Sequence, residues 1–382
     1  MAGLYVHVPF CVKRCIYCDF YSTVRLEDIE AYISALLLEM EIRRDEWRDE
    51  VFDTIYFGGG TPSQLQAQEL ERIIDGIRSS FTVANHPEIT LEANPDDLDD
   101  RYVSSLQMLP VNRISMGVQS FDDSELRLLN RRHTAQEAID AVIRCKKAGL
   151  TNISIDLMYG LPNQTMEQWV ATIDKAIKLD ISHLSAYNLT YEEGTSISQM
   201  LKSKEINPVE DDLCEQFFRI LIEKLTNAGF IHYEISNFAR CSPLYPDGRI
   251  SHHNTSYWIG APYLGLGPAA HSYNGVNRSW NVSSLSGYIK AIGDNSGTFY
   301  ETEVLDERTR YNDFILTRLR TMWGVSLDEL RREFGKEREN AFLIQSEPFI
   351  SIKKLKREGD NVKVLPEGIF VSDAIIRELI VL

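Results

Sequence analysis

Six short apolar runs alternate with six longer amphipathic stretches through the first part of the chain. The short runs have the composition of strands; they are Leu4–Phe10, Thr54–Phe57, Glu88–Ala93, Arg113–Val118, Asn152–Met158 and His183–Leu189. The longer stretches repeat apolar residues at spacings of three and four, as helices do; they are Asp28–Trp47, Gln66–Phe81, Arg101–Leu109, Ala135–Ala148, Met166–Leu179 and Asp211–Ala228. This alternation predicts an α/β fold, a parallel sheet with helices outside it. We expect a partial (β/α)6 TIM-like barrel rather than a flat, doubly wound sheet.

The strand–helix alternation stops after Phe230. One more strand is expected over Phe230–Ala239. The next two segments are aromatic and glycine-rich, which is typical of loops; they are His252–Trp258 and Gly260–Gly267. We therefore expect a connecting segment over 241–300 rather than further repeats of the barrel.

The last part of the chain has a different character, with helical patterns followed by a hairpin pattern. The expected elements are two helices, a hairpin that turns at Pro366–Gly368, and a final helix; they are Tyr311–Met322, Leu327–Phe334, Asn361–Phe370 and Ser372–Leu379. Helices with a terminal hairpin predict a small C-terminal α+β domain of the winged-helix-like kind. The expected division is a barrel domain over 1–240, the connecting segment over 241–300, and this small domain over 301–382.

Charge and hydropathy exclude some classes of partner. The chain of 382 residues has 40 basic and 56 acidic residues, so its formal net charge is −16. Proteins bind the phosphate backbone of nucleic acids with Lys and Arg, so we expect no nucleic-acid partner. No stretch approaches the roughly 18 uninterrupted apolar residues of a membrane span, and the first residues lack the pattern of a secretory signal. We expect a cytoplasmic protein.

Polar or glycine residues stand where each of the six predicted strands ends. In chain order the ends carry the segment Cys11–Cys18, the run Gly58–Thr61, Glu92, Gln119, Asp156, and Tyr187 with Asn188. In a barrel of parallel strands these ends meet at one rim, where active sites are built. We therefore expect one shared site.

The first strand end carries three cysteines in one short loop. Cys11, Cys15 and Cys18 are spaced four and three residues apart. Thiolates this crowded repel one another unless a metal centre neutralises them. A structural zinc ion takes four ligands, whereas an iron–sulfur cluster can be held by three thiolates with one iron left open. The favoured interpretation is a 4Fe-4S cluster, and a zinc-stabilised binding module is the alternative.

The other three cysteines are scattered along the chain. Cys145, Cys214 and Cys241 each stand alone in an ordinary or apolar setting. A free cysteine packs as a small hydrophobic residue, so buried thiols are expected at these positions.

The remaining polar residues at the strand ends match a ligand with an amino acid part and a ribose part. The glycine run lacks the lysine of a phosphate-binding loop, so phosphate binding is not expected there. Absence of a Cβ lets a ligand approach the backbone at glycine, so carbonyls in this run can receive an amino group. Glu92 and Asp156 can hold ribose hydroxyls, and Arg131 and Gln119 can bind a carboxylate.

These motifs resemble those of the radical S-adenosylmethionine superfamily. The resemblance lies in the three cysteines, with Tyr17 before the last of them, and in the run from Gly58 to Pro62. Three further segments are similar to the oxygen-independent coproporphyrinogen III oxidase family and its relatives; they are Tyr5–Cys11, Gly117–Phe121 and Asp156–Pro162.

The resemblance implies two cofactors and assigns residues to them. Cys11, Cys15 and Cys18 would hold the cluster, whose open iron binds S-adenosylmethionine (SAM). The residues implied to line cofactor sites are Tyr5, Gly59, Glu92, Gln119, Arg131 and Asp156. Those implied to lie beside SAM, or beside a second copy of it, are Tyr17, Gly60, Thr61 and Ala186.

Two departures from the oxidases point to their sister family of heme chaperones, often called HemW. The oxidases have a further cysteine two residues after the third, where this chain has Phe20, and only ten residues precede Cys11 here. The chaperones carry a His-Asn-x-x-Tyr-Trp signature, which resembles the segment from His253 to Trp258. Imidazole is an axial ligand of heme iron, so His253 is the implied heme ligand. The alternative is a hydrogen-bonded loop histidine, with His252 and His271 as rival ligands.

The leading functional hypothesis is therefore a heme chaperone with a 4Fe-4S cluster, SAM and heme. An oxygen-independent coproporphyrinogen III oxidase is the second hypothesis, and the zinc-stabilised module is the third. The expected partners are heme, heme-acceptor proteins and an electron donor. Membrane contact is expected only through the acceptors.

Overall fold

A mostly parallel sheet forms the centre of the fold. The computed structural model describes residues 2–246, 248–294 and 299–381. Six strands pair in chain order, each parallel to the next; they are β1 (Ala2–Val8), β2 (Val51–Gly59), β3 (Thr82–Ala93), β4 (Arg113–Gln119), β5 (Ile153–Tyr159) and β6 (His183–Asn188). Each contains most of one strand predicted from the sequence. Parallel strands in chain order, joined by helices, are consistent with the predicted partial barrel.

Six further strands extend this sheet at its two edges, and all their pairings but one are antiparallel. The strands after β6 are β7 (Phe230–Glu234), β8 (Asn237–Arg240), β9 (Tyr263–Leu266), β10 (His271–Tyr273), β11 (Asn277–Asn281) and β12 (Tyr300–Val304). The hairpin of β7 and β8 pairs with β6, while β9 lies parallel to β1 and leads through β10 and β11 to β12. The described sheet therefore has 12 strands.

Three local predictions for this region were wrong. Phe230–Ala239 is a hairpin instead of one strand, because the chain turns at Ile235 and Ser236. The glycine-rich segment predicted as a loop contains β9. The aromatic segment predicted as a loop is the helix His252–Trp258, whose first turn is capped by the Ser251 side chain, which accepts a hydrogen bond from the Asn254 N–H.

Helices connect the strands of the sheet. They are α1 (Ile29–Arg43), α2 (Ala67–Ser80), α3 (Asp100–Leu106), α4 (Asp123–Leu128), α5 (Ala135–Lys147), α6 (Met166–Lys178), α7 (Ser196–Lys202), α8 (Asp211–Asn227), α9 (His252–Trp258) and α10 (Leu285–Gly293). Short 3-10 helices span Leu26–Asp28, Arg44–Trp47, Pro62–Gln64 and Pro95–Asp97. α5 and α6 begin with reciprocal caps, Thr134 with Glu137 and Thr165 with Gln168, which fix where each helix starts.

Buried Glu39 joins the segment after residue 241 to the rest of the sheet. Its carboxylate, on α1, accepts hydrogen bonds from the Tyr288 hydroxyl, the Asn281 side-chain amide at 2.7 Å and the Gly267 N–H at 2.8 Å. Burial raises the pKa of this carboxyl, and the three donors counteract the rise. A carboxyl buried without such partners would cost several kcal/mol, so this contact fixes β9 to β11 against α1. The division of the chain at 240 and 300 stays a prediction.

The C-terminal part has a hydrophobic core of its own. Its elements are α11 (Glu307–Leu319), β13 (Val325–Ser326), α12 (Leu327–Ser351), β14 (Leu355–Glu358), β15 (Asn361–Val364), the 3-10 helix Pro366–Val371 and α13 (Ser372–Leu379). Their core includes Ile315, Leu330, Phe342 and Ile376. The sequence predicted α11 and α12 in part, and α13 with the bounds that the structure has.

Two predictions in this part need correction. The hairpin turns at Gly359, which has a φ of +62°, and not at Pro366–Gly368; glycine adopts this left-handed backbone without a steric penalty. The helix predicted to end at Phe334 kinks there instead, at Gly335 with a φ of 84°, and then continues to Ser351.

No helix in the described residues is both long enough and apolar enough to cross a lipid bilayer.

Arg318 links the C-terminal part to α9. Its guanidinium donates hydrogen bonds to the backbone carbonyls of Trp258 and, at 2.8 Å, Ile259, and pairs with Glu329 at 2.6 Å. The Arg318 side chain is 8% exposed. These contacts hold the end of α9 against α11.

We expect Arg318→Ala to lower the free energy of unfolding by about 2–3 kcal/mol, because it leaves two carbonyls and one carboxylate without their donor. The matched control is Arg72→Ala, which removes an exposed pair with Glu30 and should cost less than about 1 kcal/mol. Denaturant unfolding measures both values. Equal losses for the two variants would contradict the anchoring role of Arg318.

Candidate functional site

One cavity lies where the six parallel strands end, and we call it the rim cavity. Its volume is about 420 Å³, within the range of sites for small ligands. Eleven of the thirteen residues that the resemblance assigns to the cluster and SAM line it; they are Cys11, Cys15, Tyr17, Cys18, Gly59, Gly60, Thr61, Glu92, Gln119, Arg131 and Asp156. The parallel register explains the convergence, because it brings the carboxyl ends of all six strands to one edge.

The cysteine loop is fixed at both ends. The backbone N–H of Cys11 donates to the Thr23 carbonyl at 2.9 Å, and the Thr23 N–H donates to the Pro9 carbonyl at 2.7 Å. Ile16 is held in the middle of the loop, where its carbonyl accepts from the Ile197 N–H at 2.9 Å. Ile16 and Tyr17 also pack against a small apolar cluster that includes Met158, Leu161 and Leu189. The loop is therefore ordered by contacts of its own.

The three thiols lie in a polar part of this cavity. The Cys11 sulfur is 3.3 Å from the Thr61 hydroxyl oxygen, and Arg131 Nη1 donates to the Cys15 sulfur at 3.1 Å. Burial raises the pKa of the Cys18 thiol to about 11, and the neighbouring Cys15 and Cys11 contribute to the rise. Burial also raises the pKa of Cys11. A positively charged metal centre would counteract both effects, because it binds the thiolate form.

The donor set matches a cluster better than a single ion. In the described ranges, no three His, Cys, Asp or Glu side chains converge closely enough to hold one metal ion. The thiolates of an iron–sulfur cube each bind a different iron, so they stand further apart than the ligands of one ion. Three cysteines that line one cavity therefore suit the cube.

The glycine run packs against β1, which the sequence did not reveal. Gly59 has a φ of +108°, and a Cβ there would lie 2.6 Å from the His7 ring. A Cβ on Gly60 would lie 2.8 Å from the carbonyl carbon of Pro9. The sequence analysis assigned these glycines to ligand approach, which stays a prediction; the missing Cβ atoms also make room for the strand that leads into the cysteine loop.

Glu92 and Asp156 bring two carboxyl groups into the rim cavity. Glu92 accepts hydrogen bonds from the Tyr56 hydroxyl at 2.7 Å and the Gly59 N–H at 3.2 Å. Burial raises the pKa of Glu92 to about 7, and the charge of Asp156 adds to the rise. Burial likewise raises the pKa of Asp156 to about 6, against a hydrogen bond from Ser185. Carboxyl groups in this setting can accept hydrogen bonds from the hydroxyls of a ligand.

Arg131 connects the cysteine loop to two strand ends. Its Nη2 donates to the Asn94 side-chain oxygen at 2.6 Å and to the Gly117 carbonyl at 2.5 Å, while Nη1 contacts Cys15. The Nε atom is buried and has no hydrogen-bond partner in the described structure.

Gln119 is held in an unusual backbone conformation. Its φ is +68°, and the pairing of β4 with β5 shifts register between Gly117 and Gln119. A left-handed backbone at a residue other than glycine stores strain, and such residues cluster at functional sites. The shift in register aims the Gln119 side chain into the rim cavity.

Three residues singled out from the sequence do not line the rim cavity. Ala186 is 2% exposed, and its neighbours Tyr187 and Asn188 line the cavity instead. Tyr5 lies behind Gly58, and its hydroxyl contacts the His7 Nδ1 atom at 3.1 Å. His253 is 1% exposed, and its ring stacks on Tyr56 of β2.

The heme-ligand role predicted for His253 does not fit this conformation. Its Nδ1 atom is 2.7 Å from the Thr54 hydroxyl, and its Nε2 atom is 2.8 Å from the Tyr257 hydroxyl. Both ring nitrogens are therefore occupied, whereas an axial ligand needs one free nitrogen. The structure thus corresponds to the alternative, a hydrogen-bonded histidine, but one located in a helix instead of a loop.

A second cleft lies on the other side of the cysteine loop, and we call it the His271 cleft. Its volume is about 700 Å³. The residues that line it are Tyr5, His7, Arg14, Asp19, Phe20, Tyr21, Ser22, Tyr257, Tyr263, Ala269, His271 and Ser283. Arg14, Asp19, Phe20 and Ser22 also line the rim cavity, so the cysteine loop is the wall between the two.

Sequence reasoning missed Tyr56, which holds Glu92 in place. The alternation of β2 contained a signal, because Thr54, Tyr56 and Gly58 point to one face of the strand. On that face Thr54 meets His253 and Tyr56 meets Glu92.

Comparisons with known proteins identify the family. The Radical SAM superfamily matches residues 5–176, and the HemN C-terminal domain matches residues 305–371. The heme chaperone HemW of Mycobacterium tuberculosis is 31% identical over 382 residues, which cover 99% of this chain and 94% of that protein. The chain belongs to the HemW family. The heme chaperone HemW of Lactococcus lactis is 32% identical, with 98% of this chain and 96% of that protein covered.

A solved structure shows the same fold as this member of the HemW family. Coproporphyrinogen III oxidase (HemN) from Escherichia coli, a radical SAM enzyme, matches with a TM-score of 0.85 over 99% of this chain and 89% of that chain. The identity is 22%, so the likeness concerns the fold alone. It covers the C-terminal part as well as the sheet. The HemW family chain therefore has the radical SAM/HemN fold. The relatives named heme chaperone HemW, together with this fold, support a function like that of HemW or HemN proteins.

The raised pKa of Glu92 predicts a pH dependence of stability in this HemW family chain. The pKa rises from 4.5 in the unfolded chain to about 7 in the folded one. The folded state then binds more protons across this window, so the free energy of unfolding falls as the pH rises through it. Glu92→Gln should remove that part of the slope, as measured by denaturant unfolding at about pH 5 and about pH 8. Glu71→Gln, at an exposed position of α2, is the control, and an unchanged slope in Glu92→Gln would contradict the prediction.

Proposed function

We propose that this chain is a heme chaperone of the radical SAM type. It holds a 4Fe-4S cluster and SAM at the rim cavity and carries heme for delivery to acceptor proteins. The observation that carries the proposal is the meeting of three cysteines, two partly buried carboxyls and one arginine in a single cavity. The heme part is supported by relatives named heme chaperones that align with nearly the whole chain.

The proposal gives each residue of the rim cavity a role. Cys11, Cys15 and Cys18 hold the cluster, which, when bound, supplies the electron for cleavage of the sulfonium bond of SAM. Glu92 and Asp156 accept hydrogen bonds from the ribose hydroxyls. The amino acid part of SAM is bound by Gly59, Gln119 and Arg131. The sulfonium group is bordered by Tyr17, Gly60 and Thr61.

The remaining parts of the proposal concern partners and location. The chain would act in the cytoplasm, receive electrons from a donor protein and contact membranes only through heme acceptors. A nucleic-acid partner is not part of the proposal, because the formal net charge of −16 opposes binding to phosphates.

An oxygen-independent coproporphyrinogen III oxidase is the second candidate, and the fold likeness over 99% of the chain supports it. The cysteine loop argues against this second candidate. Phe20 occupies the position two residues after Cys18, where the oxidases have a further cysteine, and its side chain is 63% exposed. The chaperone is therefore preferred.

We expect Cys11→Ala, Cys15→Ala and Cys18→Ala each to abolish the iron and sulfide content after anaerobic reconstitution, because each removes one of three thiolates of the cluster. Cys145→Ala, Cys214→Ala and Cys241→Ala are the matched controls and should retain both elements. Chemical analysis of iron and sulfide decides the outcome. Loss of the cluster in Cys145→Ala would refute the three-cysteine assignment.

A second experiment separates the chaperone from the oxidase. The anaerobically purified, cluster-loaded chain should develop a Soret band on titration with heme. The same preparation, given SAM, an electron donor and coproporphyrinogen III, should form no protoporphyrinogen IX. Sustained formation of that product would overturn the chaperone proposal, and absence of any heme complex would remove its basis.

A further inference from the structure

We propose that heme binds in the His271 cleft, with the imidazole of His271 as a ligand of the iron and Arg14 as a partner of a propionate. This inference rests on the proposed function and deepens it, because it names the residues that take the cargo. It also replaces the role predicted for His253.

The histidines of the chain differ in whether a ring nitrogen is free. His7, His183 and His253 use both nitrogens in hydrogen bonds. His133 and His232 each use their Nε2 atom, on the Val118 and Ile235 carbonyls. A ligand of iron must present a nitrogen lone pair to the iron, so His7, His183 and His253 would first have to break existing contacts. His133 keeps a free Nδ1 atom, but neither His133 nor His232 lines the rim cavity or the His271 cleft.

The rings of the other three make no hydrogen bond within the described structure; they are His86, His252 and His271. Of these three, His271 lines a cavity, and the other two line neither the rim cavity nor the His271 cleft. Its ring stands beside Trp280, with 6.2 Å between the centroids, because the two residues are paired across β10 and β11. Partial burial, and then the charge of Arg278, lowers the pKa of His271. A lowered pKa favours the neutral imidazole, which is the form that binds a metal.

The walls of the cleft suit a flat, largely apolar ring system. Tyr5, Tyr21, Tyr257 and Tyr263 contribute aromatic surface, and a volume of about 700 Å³ accommodates a ligand much larger than an amino acid. Phe20 adds an aromatic ring that is largely exposed in the free protein. Aromatic rings stack on planar ligands and gain free energy from the buried area.

Arg14 supplies the charge that the propionates of heme require. Its side chain is exposed at the mouth of the cleft and makes no ion pair with any described residue. An arginine binds a carboxylate through paired hydrogen bonds. The opening of the cleft is therefore marked by a cation, while its interior is aromatic.

The test is a heme titration of the cluster-loaded protein, because the cysteine loop that holds the proposed cluster is also a wall of the cleft. His271→Ala should weaken heme binding at least about tenfold, since even indirect partners of metal ligands contribute that much. It should also shift the Soret band, and added imidazole should restore the band. His86→Ala and His252→Ala, both exposed histidines, are the controls and should bind heme as the wild type does.

Arg14→Ala should weaken heme binding without moving the Soret band, because the iron ligand is retained. Lys13→Ala is the matched control: Lys13 is also exposed on the loop but lines only the rim cavity. Iron and sulfide analysis of each variant confirms that the loop still holds the cluster.

The outcomes separate this inference from the proposed function. Heme binding by the wild type with equal affinity and spectrum in His271→Ala overturns the inference and leaves the chaperone proposal standing. Loss of heme binding in His253→Ala, with normal cluster content and retention of binding in His271→Ala, also overturns it. Absence of heme binding by the wild-type protein would overturn both the inference and the chaperone proposal.

Discussion

The close approach of Gly60 to the end of β1 is the contact on which the rim cavity depends. The Gly60 N–H donates to the Val8 carbonyl at 2.8 Å, and the space that a Cβ would fill is taken by the backbone of Pro9 and Phe10. The cysteine loop starts one residue later. A side chain at position 60 would push β1 away from β2, and any such shift moves Cys11 relative to Thr61 and Glu92. The absence of a Cβ atom at Gly60 thus determines where the cysteine loop lies relative to the ends of the strands.

The sequence pattern predicted the six central strands well, because the signal for each strand lies within its own few residues. A short apolar run followed by an amphipathic stretch reports its own secondary structure, whatever else the chain contains. β9 was missed because its formation depends on β1, which is distant in sequence. Its glycines are typical of a loop, yet Gly265 is required where β9 and β10 cross, since a Cβ there would lie 2.1 Å from the His271 carbonyl oxygen. Pairing between strands so far apart in sequence produces no periodic pattern of apolar residues from which the strand could be predicted.

The candidate site shows the same division. Residues such as Glu92 and Asp156 could be named from the sequence, because polar residues at the carboxyl ends of parallel strands are brought together at one edge of the sheet. The role of His253 could not be predicted in the same way, because hydrogen bonds with Thr54 and Tyr257 occupy both of its ring nitrogens. A histidine beside aromatic residues is a ligand or a core residue depending on partners that only the fold brings together. His271 carries no such motif, and its significance lies in a free ring at the edge of a cleft.

Arg131 and the cysteine loop depend on each other electrostatically. Its three hydrogen bonds go to Cys15, Asn94 and Gly117, and two of these acceptors are neutral amide oxygens. Burial keeps the pKa of the Cys11 and Cys18 thiols high, so the free loop holds less negative charge than three thiolates would. Removing a cation from water costs several kcal/mol unless an anion is near. Thiolates held by a metal centre would provide that charge, while the guanidinium would reduce the repulsion among them. The arginine at the strand ends and the cysteines after β1 therefore form one electrostatic unit, although more than a hundred residues separate them in the sequence.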